Sequence, residues 1–142
     1  ISSKGDLNVD FHHTVEDTGI TLGSAISQAL GDKRSIQRYG WIYLPMDEAL
    51  ARVVLDCSGR PFLRFSTIRD FPPVGQFPFQ LVEEFSRALA TNAAITLHID
   101  LLEGRDSHHA AEAIFKGIGR ALRMAIQFDP FVPGIPSTKG SL

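Results

Sequence analysis

Four of the five histidines fall in two short motifs, His12-His13-Thr14-Val15-Glu16 and His108-His109-Ala110-Ala111-Glu112. On a helix, residues four apart share a face, and adjacent residues are splayed by about 100°. His12 and Glu16 can therefore grip one metal ion while His13 points towards another ion or another subunit, and His108, Glu112 and His109 can do the same. Two imidazoles and a carboxylate, with no cysteine among them, suit Mn, Fe or Zn. One His-His-x-x-Glu alone says little, because a histidine pair at a helix start also serves as a cap or a surface feature. Two copies say more, because unused polar positions drift fastest in a repeat.

The likeness extends past the motifs. At a shift of 96 residues, the segment 22–30 lies over 118–126 with Gly, Ala and branched aliphatics in register and the solvent-type residues different. An internal duplication accounts for this, and it makes each motif the start of an equivalent helix. The first runs over about residues 14–30, with Val15, Leu22, Ala25, Ile26, Ala29 and Leu30 at helical period and Gly31-Asp32 ending it. Gly19 and Gly23 inside it predict close approach of another backbone. The second starts at Asp106 or Ser107 as N-cap and runs to about Gln127, where Asp129-Pro130 breaks it.

Strands are predicted at residues 7–10, at 41–44 with Pro45 as the stop, at 51–56, at 61–65 and at 94–100. Phe79, Val82, Phe85, Ala88 and Leu89 mark a further amphipathic helix, and 133–140 reads as a loop. This pattern divides the chain into residues 1–40, the C-terminal part of a first half-repeat, 41–128, a second half-repeat, and 129–142, a tail, all in one compact domain. The second motif has strands and a helix before it and the first has one short strand, so a complete repeat would place about 50 more residues ahead of it.

Bulk properties exclude several classes. A net charge of −2 gives no electrostatic case for nucleic acid or an anionic membrane. No apolar run approaches the roughly 20 residues that span a bilayer, and the start has no signal-peptide core. With Cys57 the only cysteine, an intrachain disulfide is impossible, and a cytoplasmic location is expected. Cys57 itself reads as a small buried hydrophobe.

Other polar residues carry weaker signals. Arg38, Arg60 and Lys139 lie in or beside Gly-containing loops, which suits an anionic group such as phosphate, although ordinary surface charge looks the same. His98 lies on a strand, where a packed histidine is commoner than a ligand. Asp47-Glu48, at a strand end, reads as a structural turn. There is no Gly-x-Gly-x-x-Gly, P-loop or nucleophile elbow.

Taken together, Gly5-Asp6-Leu7, His12-His13-Thr14-Val15-Glu16-Asp17, Pro45-Met46-Asp47-Glu48-Ala49-Leu50, Asp56-Cys57-Ser58-Gly59-Arg60-Pro61, His108-His109-x-x-Glu112-Ala113-x-Phe115-Lys116 and Pro136-Ser137-Thr138-Lys139-Gly140 resemble the imidazoleglycerol-phosphate dehydratase family of histidine biosynthesis. The resemblance covers the whole chain in order. It implies an α/β (α+β) fold of duplicated half-domains, each a four-stranded sheet backed by helices, like the second domain of ribosomal protein S5. It implies trimers assembling into a 24-subunit homo-oligomer, with two Mn2+ ions per active site held between subunits. The reaction implied is dehydration of D-erythro-imidazole-glycerol phosphate to imidazole-acetol phosphate, with the ring held as an imidazolate between the metals while a C–H proton is lost and hydroxide leaves.

Residue by residue, the resemblance makes His12, His13, Glu16, His108, His109 and Glu112 metal ligands. Arg38, Arg60, Ser137 and Lys139 would hold the phosphate, making 129–142 a substrate-binding tail. Asp47, Glu112 and Lys116 would form the catalytic set, with Asp47 handling protons and Lys116 near the substrate. This chain departs from the family in having Glu84 where many members have another histidine ligand, Phe11 for a common Asp and Asp106 for a common Asn. Family members usually begin with about 50 further residues, which carry another metal histidine and a catalytic glutamate. The alternative reading is a non-catalytic, metal-dependent assembly subunit of the same fold. The Arg38, Arg60 and Lys139 set favours the enzyme, because a structural metal clip needs no anion pocket.

Overall fold

A computed structural model describes residues 1–140 and 142. The elements run α1 (His12–Leu30), β1 (Tyr39–Met46), β2 (Ala49–Asp56), β3 (Phe62–Thr67), α2 (Leu81–Asn92), β4 (Thr96–Glu103) and α3 (Ser107–Ala125). One four-stranded sheet has the order β1-β2-β4-β3. β1 and β2 form a hairpin, β2 pairs antiparallel with β4, and β3 pairs parallel with β4. A parallel pair needs a crossover, and α2 supplies it between β3 and β4.

Alternation along the strands decides which face is covered. Ala51, Val53 and Leu55 of β2 and Leu97, Ile99 and Leu101 of β4 are buried beneath Ala110, Ala113, Ile114, Ala121 and Ala125 of α3 and Val82, Leu89 and Ala90 of α2. Each fully buried Leu or Ile there stabilises the fold by about 1.5–3 kcal/mol. Among the described residues, no helix covers the opposite face. It shows Tyr39, Trp41 and Tyr43 of β1, Val54 of β2 and Phe62 of β3 to the outside. Asp100 is buried at its centre, bonded to Arg52 at 2.9 Å and paired with Arg64.

α1 packs on α2 rather than on the sheet. A Cβ at Gly19 would lie 2.8 Å from the Ala88 Cβ, and one at Gly23 would lie 2.8 Å from the Leu89 carbonyl oxygen. The backbone approach expected at both glycines is therefore present. α1 and α3 each have 19 residues, and both motifs fall in the first turns.

Several element boundaries differ from expectation. Residues 7–9 form a turn, held by the Val9 amide donating to the Asp6 carbonyl at 2.7 Å, and no strand forms over 7–10. Leu7 and Val9 are more than half exposed, so their alternation has no apolar surface to face. Pro45 does not stop β1, which continues to Met46. β1 is an edge strand and Pro45 pairs with Leu50 beside the hairpin turn, where a missing N–H is tolerated. β4 starts at Thr96, because Ala94 takes a left-handed φ of 50° leaving α2.

Candidate metal and phosphate sites

α3 starts well because Asp106 is a true N-cap, its Oδ1 accepting from the His108 and His109 amides at 2.8 and 3.0 Å. That cap aims both imidazoles outward from the first turn. His108 Nε2 lies 3.1 Å from Glu112 Oε2, one helical turn on. Two donors held about 2.1 Å from one ion and at right angles sit about 3 Å apart, so this pair fits half of a metal shell. Glu112 also accepts from Lys116 Nζ at 2.5 Å, which holds its carboxyl below the ordinary range, with His108 adding to the effect against burial.

His109 is turned away from that pair. Its Nδ1 lies 2.8 Å from Glu48 Oε2, and its Nε2 is 3.6 Å from Asp47 Oδ2. Glu48 Oε1 accepts from the amides of Asp106 at 2.8 Å and Arg105 at 2.9 Å. The Asp106 amide, then His109, then the Arg105 amide hold the Glu48 carboxyl down at about 2, and Glu48 in turn raises the His109 imidazole. Asp47 stands on the hairpin turn with φ 47° and a side chain 73% exposed. Sequence reasoning read Asp47-Glu48 as a turn, and Glu48 was missed because its partners lie 57 to 61 residues away.

The start of α1 repeats the arrangement. His12 Nε2 is 3.8 Å from Glu16 Oε2, and His13 Nδ1 is 2.8 Å from Asp6 Oδ2. The hydrogen bond from Asp6 raises the His13 imidazole, and Asp6 is lowered by the same bond. Phe11, the N-cap, offers no side-chain acceptor; Asp10 Oδ1 instead accepts from the His12 amide at 2.8 Å. Among the described residues, no three His, Cys, Asp or Glu side chains converge on one point. The donor chemistry fits divalent metal in two half-shells, each left with open positions.

The cationic residues gather at the other end of the sheet. Arg38, immediately before β1, is ion-paired with Asp56 at 2.7 Å and donates to the Pro136 carbonyl at 2.8 Å. That draws in the tail, where the Lys139 amide donates to Ser137 Oγ at 3.2 Å. Arg60 reaches Asp56 at 4.0 Å with its side chain 70% exposed, leaving most of its guanidinium for a ligand. The structure thus brings Arg38, Arg60, Ser137 and Lys139 to one end, and Asp47, His108, His109, Glu112 and Lys116 to the opposite end. β1, eight residues long, separates Arg38 from Asp47, a span of roughly 25 Å.

Two further candidates lie elsewhere. His98 is on the open sheet face, its ring 5.5 Å from Phe62, with α3 on the other side of the sheet. Glu84 is on α2, half-buried. Cys57 is buried, and desolvation pushes its thiol up to about 11.

Fold and site define an α/β protein with one imidazole–carboxylate half-site at the start of each of two matching helices. The sequence model described as "Imidazoleglycerol-phosphate dehydratase" matches residues 1–122. The imidazoleglycerol-phosphate dehydratase of Methylorubrum populi is 57% identical over all of this chain and 73% of its own length. That of Alkaliphilus metalliredigens is 56% identical over the same shares. Among solved structures, the dehydratase of Staphylococcus aureus superposes with a TM-score of 0.82 at 47% identity, over 89% of this chain and 72% of its own. The Pyrococcus furiosus structure gives 0.81 at 39%, over 92% and 71%. The chain belongs to the imidazoleglycerol-phosphate dehydratase family. It is a hydro-lyase of histidine biosynthesis. Among the described residues no helix is long and apolar enough to cross a membrane.

Proposed function

We propose that the chain acts as a manganese-dependent dehydratase, converting D-erythro-imidazole-glycerol phosphate to imidazole-acetol phosphate in the cytoplasm. The observation that carries this is the repeated half-site: a His–Glu pair one helical turn apart, beside a second imidazole whose Nδ1 faces a carboxylate. His12 with Glu16, His108 with Glu112, and the outer nitrogens of His13 and His109 would hold two divalent ions. Bound there, such ions supply Lewis acidity that favours a deprotonated imidazole and spreads the charge left by C–H proton loss.

The chain's own groups do the rest. Arg60 and Lys139 bind the phosphate dianion, with Arg38 fixing the tail that carries Ser137. Lys116, bonded to Glu112, places a positive charge beside the half-site. Asp47, exposed on its turn 3.6 Å from His109, is placed to accept or return a proton.

Assembly belongs to the same reading. A single imidazole on a glycerol phosphate is far shorter than the length of β1, so one substrate molecule cannot touch Asp47 and Arg60 of one copy. Neighbouring copies would complete each site, in trimers and then a 24-subunit shell. Replacing Glu112→Gln removes one donor while keeping shape. It should lower manganese bound per chain and abolish dehydration. Unchanged metal content with full activity would overturn the assignment.

A further inference from the structure

We infer that Glu48 is a positioning residue, which sets the tautomer and the orientation of His109 so that its Nε2 is presented as a bare lone pair. The inference rests on the reading of His109 as a ligand. Each oxygen of the Glu48 carboxylate has a separate task. Oε1 accepts from the Arg105 and Asp106 amides at 2.9 and 2.8 Å, tying the β1–β2 turn to the loop that starts α3. Oε2 faces His109 Nδ1 at 2.8 Å. A carboxylate only accepts, so Nδ1 must carry the hydrogen and Nε2 must be unprotonated in the neutral ring. The ring is also restrained, since the loop that carries Asp106, the cap of its helix, hangs from the same carboxylate.

The other half-site reaches the same result with a different residue. Asp6 Oδ2 faces His13 Nδ1 at 2.8 Å from seven positions upstream, whereas Glu48 acts from 61 positions upstream. At a shift of 96, Asp6 would fall on Leu102 and not on Glu48. The two carboxylates are therefore not copies of one ancestral residue. Both histidines nevertheless have a carboxylate on Nδ1, which is what a ligand using Nε2 requires.

Glu48→Gln separates this role from a purely structural one. The glutamine Oε1 can keep both backbone hydrogen bonds, so the turn is preserved. The group facing Nδ1 becomes an NH2 donor, which makes Nδ1 the acceptor and moves the ring hydrogen to Nε2. The test is 15N solid-state NMR of histidine-labelled, metal-free protein at a pH where imidazole is neutral, with His109 assigned by its loss in His109→Gln. Manganese affinity is read in parallel from the EPR signal of free Mn2+. In E48Q, His109 should change from the Nδ1–H to the Nε2–H form. Manganese affinity should fall about 10- to 100-fold, with the folded state retained at the temperature of the measurement. An unchanged tautomer, or an inverted one with unchanged affinity, would overturn the inference. If the unsubstituted protein bound no manganese, the metal reading would fall, while the tautomer comparison would still decide whether Glu48 sets the ring.

Discussion

Asp100 shows how a carboxylate can be buried and still stay charged. Burial pushes its carboxyl up, and the Arg52 and Arg64 guanidiniums more than offset this, leaving it below its ordinary value of 3.8. A carboxyl lowered in the folded state contributes stability that is present above its ordinary value and lost as pH falls through the folded one. Asp100→Asn should therefore cost about 1–2 kcal/mol at neutral pH, a modest sum because both arginines remain solvated. The gap between variant and parent should close on acidification below about pH 4. Urea midpoints across that range check it, and a constant gap would show that packing rather than charge is lost. The pairing was invisible in the sequence, where Arg52, Arg64 and Asp100 stand 12 and 36 residues apart. Asp6 and Glu48 were missed for the same reason. A carboxylate's partner depends on how the chain folds back, whereas the two His-His-x-x-Glu motifs were legible because helical spacing alone brings residues four apart together.

Two glycines at matching positions of the similar segments 22–30 and 118–126 do different things. Gly23 of α1 lies against α2, where a Cβ would meet the Leu89 carbonyl oxygen at 2.8 Å and the Asn92 Cβ at 2.9 Å. Gly119, its counterpart in α3, has nothing within 4 Å of the same position. Helix propensity alone favours Ala over Gly by about 1 kcal/mol at either site. Overpacking at Gly23 costs about 1–3 kcal/mol and outweighs it. Gly23→Ala should thus destabilise and Gly119→Ala should stabilise by about 0.5–1 kcal/mol, both read from denaturant unfolding. Matching signs would mean that the α1–α2 contact does not limit side-chain size. Long periodic elements such as α1 and α3 were readable because their apolar period is intrinsic to the sequence. The turn at residues 7–9 and the passage of β1 through Pro45 were not, since both depend on whether a neighbouring strand lies alongside.

At the scale of the molecule, the separation of the two clusters has a consequence for mixtures of variants. Glu112 belongs to the end of the sheet where α3 starts, and Arg60 to the end where β3 starts, with the length of the sheet between them. If each catalytic centre takes its metal ligands from one copy and its phosphate ligands from another, two inactive variants carry complementary defects. Arg60→Ala keeps the metal half-sites, and Glu112→Gln keeps the phosphate end. Unfolded together in equal amounts and reassembled with manganese, they would form closed homo-oligomers of mixed composition, and about a quarter of the centres would draw both intact clusters from different copies. Dehydration should reappear at about that fraction of the parent rate, although each variant reassembled alone stays near background. Mixing the same two variants without prior dissociation is the control, and its recovery should fall short of that of the reassembled mixture. Activity no higher than the sum of the separate variants, after confirmed co-assembly, would place both clusters within a single copy's site and contradict the distances along β1.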